Sequence, residues 1–191
     1  MADAELDMRM DRTSGISAKE LVNTFPKESL ERIFFDYGEE RYSRSIASRI
    51  VSYRQNKPIE TTLELVDIIT GAMPPKALKE KQHPAKRVFQ AIRIAVNDEL
   101  GEIKKLLENI LPFINSGGRI CIISFHSLED RIVKRAFASF ENPCTCPPEF
   151  PVCVCGKRTL GKAMKMIAPD NTETECNPRA RSAKLRVFEK Y

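Results

Sequence analysis

The chain has 191 residues, 42% hydrophobic and 30% charged with no Trp, the composition of one globular domain or of a small domain joined to part of another. It has no apolar run of the roughly 18 residues that a membrane-spanning helix needs. Its start, Met1-Ala2-Asp3-Ala4-Glu5, is acidic rather than basic-then-apolar, which excludes a secretory signal and predicts a cytoplasmic protein with no membrane partner. The net charge of +5 is unevenly placed: residues 1–118 hold 18 basic and 18 acidic side chains, whereas residues 119–191 hold 13 and 8. A basic final third suits a polyanion such as RNA, and equally a solvated basic surface.

Residues 1–82 read as a compact all-helical subdomain. Ser17-Ala18-Lys19-Glu20 is a capping box, in which the Ser17 hydroxyl accepts from the Glu20 amide while the Glu20 carboxylate reaches back. A second helix is expected over 27–37, stopped by Gly38, a residue that tolerates positive φ. Tyr42, Ile46, Ile50 and Tyr53 fall at three- and four-residue steps and predict a third helix with one apolar stripe. Thr61-Thr62-Leu63-Glu64 repeats the capping box, and its helix should end near Gly71, before Pro74-Pro75.

The pattern changes at residue 83. His83-Pro84 is expected to open a helix with Pro in its first turn, burying Val88, Ile92, Ala95, Val96 and Leu100, with a break or bend at Gly101. A further helix carries Ile103, Leu106, Leu107 and Ile110 to about Pro112. After the Gly117-Gly118 turn, residues 119–125 are a continuous apolar run, which fits a strand covered on both faces, as in a parallel sheet. Ser127 is expected to cap a helix over 128–140 with Ile132, Val133, Ala136, Phe137 and Phe140 on its buried side. A Pro- and Cys-containing loop then runs to about Pro178, and residues 183–188 alternate as a last, partly exposed strand. Helix–strand–helix–strand order makes residues 83–191 α/β, although two strands leave a doubly wound sheet incomplete.

Four stretches could carry chemistry. Ser124-Phe125-His126-Ser127-Leu128-Glu129-Asp130-Arg131 lies where a strand hands over to a helix, the usual place of a ligand crevice in open α/β sheets. Ser127, Glu129 and Asp130 can be explained by capping and the helix dipole. His126 has no expected capping duty, so it leads the catalytic candidates, followed by Glu129 and Asp130. Asn97-Asp98-Glu99 is poorly placed for the end of a helix and hints at a role for Asn97 or Asp98. Cys144-Thr145-Cys146 and Cys153-Val154-Cys155 offer four thiolates for a tetrahedral zinc ion, although C-x-C is tighter than the usual spacing within a chelating pair. Cys121 reads as core and Cys176 as incidental. Arg179, Arg181, Lys184 and Arg186, with Arg87 and Arg93 on the exposed side of the residue-83 helix, are candidate RNA-phosphate contacts; cations on an edge strand also discourage aggregation.

Absences weigh as much. The sequence has 8 glycines, none in a G-x-G arrangement, and no P-loop, so no residue is assigned to a cofactor cradle.

Taken together, several stretches resemble the bacterial 16S rRNA (cytosine-N4) methyltransferase family. They are Leu6-Asp7-Met8-Arg9-Met10-Asp11, residues 18–23, Phe34-Phe35-Asp36-Tyr37-Gly38-Glu39-Glu40, residues 58–62, the unbroken 83–100 segment, residues 124–131, and Arg181-Ser182-Ala183-Lys184-Leu185-Arg186. Glu5 stands where the family usually has Pro, and residues 170–176 match loosely. The resemblance implies methyl transfer from S-adenosylmethionine to the exocyclic N4 of a cytidine in the decoding region of the small ribosomal subunit. It also implies a fold: the second half of a Rossmann-like methyltransferase core over 83–191, preceded by an all-helical substrate-recognition insertion over 1–82. In that family the donor-binding motifs lie upstream of the Leu6–Asp11 stretch. The chain is therefore expected to be a truncated or split form, inactive alone, with 16S rRNA and a separately encoded donor-binding half as partners. The alternatives are a stand-alone RNA-binding module and a non-functional remnant.

Overall fold

A computed structural model describes residues 3–80, 82–147, 149–150 and 152–191. The chain forms two compact units, Met1–Glu99 and Leu100–Tyr191.

The first unit is helical. Helices α1 (Ala18–Thr24), α2 (Lys27–Asp36), α3 (Ser43–Arg54), α4 (Thr62–Gly71), α5 (Pro75–Leu78) and α6 (Lys86–Val96) surround a core that includes Leu6, Leu21, Phe34, Ile46, Ile50, Ile69 and Ile92. Both capping boxes form: the Glu20 N–H donates to Ser17 Oγ at 3.1 Å while Glu20 Oε2 accepts from the Ser17 N–H at 2.7 Å, and Thr61 and Glu64 repeat the exchange on α4. Of the expected stripe, Ile46 and Ile50 are fully buried and Tyr42 packs half-buried against the same core, while Tyr53 faces solvent. Gly38 is required by space rather than by φ. A Cβ there would lie 2.7 Å from the carbonyl oxygens of both Phe34 and Arg87, where α2 and α6 approach, and the positive φ belongs to Glu39. Helix α6 starts later than expected. His83-Pro84-Ala85 form a turn in which His83 Nδ1 accepts from the Ala85 N–H at 3.2 Å, and the helix follows. It packs on α1 and α2, so the residue-83 helix belongs to the helical unit.

The break after α6 falls at Asp98, which takes φ +46°, and not at Gly101, which lies inside α7 (Glu99–Asn109). Asn97 caps the end of α6 and Glu99 begins the next helix, where its negative charge suits the dipole. Their apparent misplacement at one helix end thus resolves into a boundary between two helices.

In the second unit, α7 and α8 (Ser127–Glu141) accompany a three-stranded antiparallel sheet of β1 (Arg119–Ser124), β2 (Gly161–Ala163) and β3 (Lys184–Lys190), ordered β1-β3-β2. A short helix, α9 (Asn171–Cys176), interrupts the long loop before β3. The mixture of helices with a small sheet is that of a partial α/β core, but two expectations about its strands are corrected. First, β1 is not covered on both faces. Ile120 and Ser124 are buried, whereas Arg119, Cys121 and Ile123 face outward, so Cys121 is not a core residue. Second, the last strand is not an edge. β3 lies between β1 and β2, pairing Ile122 with Arg186 and Ala163 with Phe188. Its central place explains why the adjacent Val187 and Phe188 are both buried and alternation fails there. Phe188 packs tilted against Phe137 and edge-to-face against Phe140 of α8, at centroid distances of 5.5 and 5.4 Å, and anchors the small core with Leu107, Ile120 and Val133. Among the described residues nothing pairs with the other edge of β1.

Candidate functional site

The β1-to-α8 handover gathers the three catalytic candidates. The chain leaves the sheet at Ser124, passes the exposed Phe125, and enters α8 through His126. His126, and not Ser127, is the cap. Its backbone is extended (φ −138°, ψ 164°), and its Nδ1 accepts from the Glu129 N–H at 3.4 Å. Glu129 completes the exchange, its Oε2 accepting from the N–H groups of Phe125 at 2.8 Å and His126 at 3.3 Å. His126 Nε2 also lies 3.3 Å from Glu129 Oε1. The imidazole thus performs, through Nδ1, the capping duty that the sequence assigned to its neighbour. Burial would raise the Glu129 pKa, but the His126 side chain and the two backbone N–H groups outweigh it and hold the carboxyl below its ordinary range.

Asp130, one residue on, is buried and faces β3. Arg186 grips it through two bonds, Nε to Oδ1 at 2.6 Å and Nη2 to Oδ2 at 3.1 Å, and Lys184 Nζ adds a third at 3.2 Å. The Arg186 side chain is foremost in depressing the Asp130 pKa. Two candidate RNA contacts are therefore tied into an internal cluster with a catalytic candidate. Arg186 is largely covered, while Lys184 remains 42% exposed. Arg179 and Arg181, in the 3-10 turn just before β3, are exposed and free to meet solvent or phosphate. Arg87 and Arg93 belong to the first unit; Arg93 is exposed, but Glu99 holds its guanidinium at 2.7 and 3.0 Å.

A second arrangement, within the first unit, clarifies Asn97. Its Oδ1 accepts from the Met10 N–H at 2.8 Å, and its Nδ2 donates to the Met8 carbonyl at 3.0 Å and the Arg93 carbonyl at 2.9 Å. The side chain thereby pins the Leu6–Asp11 stretch to the end of α6. Within that stretch Asp7, itself buried, accepts from Arg9 Nε at 2.7 Å and Nη2 at 3.2 Å, and Met8 takes φ +65°. The sequence signalled a role for Asn97 through its dipole conflict; the Asp7–Arg9 pairing carried no such signal.

The four cysteines of the long loop converge. The Sγ atoms of Cys144, Cys146, Cys153 and Cys155 all lie within 4.8 Å of one another. Cys176 is remote from them in sequence and exposed at the end of α9. N–H groups of Thr145 and Lys157 pull the Cys155 pKa down to about 6, and the neighbouring Cys155 sulfur is foremost in pushing that of Cys153 up to about 12.

The β1–α8 turn does not fit S-adenosylmethionine. A nucleoside cofactor at a strand-to-helix turn needs close backbone approach and unspent N–H groups. The β1–α8 turn contains no glycine, and the N–H groups of Phe125, His126 and Glu129 are taken by the capping pair. This corner is suited to holding a shape rather than to binding the donor.

The MraW methylase family model matches residues 1–191. A ribosomal RNA small subunit methyltransferase H from Geobacter sp. (strain M21) is 55% identical over 192 aligned residues, which cover 100% of this chain and 62% of the relative. Another protein of that name, from Ruminiclostridium cellulolyticum, is 53% identical over 190 residues, 98% of this chain and 61% of its own length. The chain thus spans about 62% of the length of the curated relatives it matches. With a family match over its whole length and identity above one half, this chain belongs to the MraW methylase family.

Proposed function

We propose that this chain forms the acceptor side of an S-adenosylmethionine-dependent methyltransferase that modifies the exocyclic N4 of a cytidine in the decoding region of 16S rRNA. The observation that carries the reading is the 55% identity over the whole chain to a small-subunit rRNA methyltransferase. Residues 1–82 serve as the helical substrate-recognition part and 83–191 as the returning half of the catalytic core, whose first helix, α6, packs with the helical unit. The enzyme acts on the small ribosomal subunit in the cytoplasm; among the described residues no helix is long and apolar enough to cross a membrane.

The N4 amino group of cytosine is a poor nucleophile because its lone pair is delocalised into the ring. Holding it in one orientation and accepting its proton are the two tasks open to acceptor-side residues. His126, Glu129 and Asp130 act here as positioning residues. The His126–Glu129 exchange fixes the turn after β1, and Asp130 locks the first turn of α8 to β3 through Arg186 and Lys184. Arg179 and Arg181 contact the RNA backbone, with Arg87 and Arg93 contributing from the helical unit; Lys184 and Arg186 act mainly through Asp130.

Donor binding on this reading requires residues outside the 191. The open edge of β1 supports a donor-binding half that pairs there, and Ile123 and, just after the strand, Phe125, 59% and 55% exposed, offer it apolar surface. The test supplies the segment of the Geobacter relative that this chain does not cover, as a co-expressed partner or a fusion. Labelled methyl transfer to unmodified small subunits is then followed. The complemented protein should label 16S rRNA, and the chain alone should neither bind the donor nor label anything. A folded, complemented protein that binds donor but leaves the small subunit unlabelled contradicts the proposal. An RNA-binding module would instead hold rRNA equally with and without the donor half.

A further inference from the structure

We propose that Cys144, Cys146, Cys153 and Cys155 bind one zinc ion as a tetrahedral four-thiolate site that folds the loop between α8 and β2. Four sulfurs about 2.3 Å from a shared zinc ion form a tetrahedron with edges of about 3.8 Å. The Sγ separations are 3.5 Å for Cys144–Cys153, 3.4 Å for Cys153–Cys155, and 3.8 Å for both Cys146–Cys153 and Cys144–Cys155. The remaining pairs also lie inside 4.8 Å. No separation given approaches the ~2.05 Å of a disulfide, and two separate bridges would not draw all four sulfurs into one knot. The spread is that of one ion's coordination sphere; a two- or four-iron cluster holds its thiolates around a wider metal–sulfide core.

Two further observations are independent of those distances. The Val154 N–H donates to Cys146 Sγ at 3.3 Å, the kind of backbone bond that steadies a metal thiolate. Gly156, directly after the second pair, takes φ +65°, a left-handed turn that glycine adopts without strain. Among its described residues the loop has few other supports, chiefly the Phe150 N–H to the Pro147 carbonyl at 3.1 Å and the Leu160 N–H to the Phe140 carbonyl at 2.9 Å. Across the described residues of 142–160 there is neither helix nor strand and no buried side chain; Phe150, Val152 and Val154 are 51%, 70% and 72% exposed. A segment that buries no apolar surface cannot repay the entropy of ordering its backbone, whereas a coordinated metal can. The tight C-x-C spacing is accommodated because the two pairs face each other, each supplying two corners.

Binding displaces the remaining thiol protons to solvent and leaves zinc(II) on four thiolates, with no redox change. The site is structural: all four corners are protein sulfurs, and none remains for water or substrate. It stands independently of the proposed methyl transfer.

The 191-residue chain, purified under reducing conditions without chelator, should carry one zinc per chain by elemental analysis. Replacement with cobalt(II) should give the strong visible absorption of a tetrahedral thiolate site. Cys144→Ser and Cys153→Ser should each abolish both signals, whereas Cys121→Ser and Cys176→Ser should retain them. Should the cluster variants not fold, the unaltered chain still decides the matter: a zinc chelator should open the loop to tryptic cleavage after Lys157 and Arg158, and added zinc should restore protection. Failure to take up zinc or cobalt from a metal-supplemented solution overturns the proposal. So does iron with acid-labile sulfide, a mass showing two disulfides, or uptake unchanged in Cys153→Ser.

Discussion

Arg186 on β3 and Asp130 in the first turn of α8 form a two-bond ion pair, at 2.6 and 3.1 Å, with their side chains only 17% and 12% exposed. The sequence had placed one in a row of RNA contacts and the other in a catalytic group. Their pairing joins the start of the helix to the middle strand of the sheet, and it converts two candidate functional residues into one element of support.

Breaking that pair from one side should be costly, because it strands a charge in a partly covered setting. Asp130→Ala is expected to lower the stability of the unit that contains it by about 2–4 kcal/mol in urea denaturation, with Arg186→Ala similar. The double variant should cost clearly less than the sum of the two, as a double-mutant cycle would reveal. Additive losses would show that the pair contributes nothing as a pair.

Arg179 and Arg181 behave differently, being exposed and outside the cluster. Replacing both with Ala should leave urea stability within about 0.5 kcal/mol. In the complemented protein it should weaken rRNA binding and flatten the dependence of log affinity on log salt by about 1 to 2. An unchanged salt slope would remove both from the RNA interface.

His126 can be divided into its cap and its imidazole. Asn is a good N-cap, so His126→Asn should retain most of the stability that His126→Ala loses, about 1 kcal/mol. If the imidazole shapes the acceptor side, both variants should slow single-turnover methyl transfer in the complemented protein while donor affinity is unchanged. Full activity in His126→Asn would reduce the residue to its structural duty.

Acid should weaken both units in a defined direction. Glu64 is held down to about 2, chiefly by the Lys57 side chain, and Glu129 and Asp130 also lie below their ordinary range. A depressed carboxyl binds fewer protons in the folded than in the unfolded state, so its contribution is complete above the unfolded value and lost as pH falls through the folded one. For Glu64 that window runs from about 4.5 down to about 2. Urea midpoints measured from pH 6 to pH 2.5 should therefore fall, and Glu64→Gln should flatten the slope in the helical unit. A flat profile in the unaltered chain would contradict these assignments.

What the sequence disclosed was mostly local. Both capping boxes, the Ile46–Ile50 stripe and the buried face of α8 depend on spacing within a few residues, and all formed. The His126 cap was hidden because Ser127, one position along, is the commoner capping type. Gly101 drew attention as a helix breaker, yet the helix absorbed it and Asp98 took the positive φ. Strand β2, only Gly161–Ala163, is too short to show a period, and without it β3 read as an edge. The continuous apolarity of β1 suggested two covered faces, but Cys121 and Ile123 are exposed among the described residues. The cysteine spacing named the four thiols; only the folded loop could bring them within 4.8 Å. Asp130–Arg186, 56 residues apart, left no trace in any window of the sequence.

The most direct measurement for the central claim is nucleoside mass spectrometry of 16S rRNA treated with the complemented chain and S-adenosylmethionine, with the decoding-region fragment isolated before digestion. The account predicts one added methyl on a cytidine of that fragment, with the fragmentation and retention of N4-methylcytidine. Methylation at cytosine C5 or on a ribose, or a methyl group confined to another region of the rRNA, would contradict it.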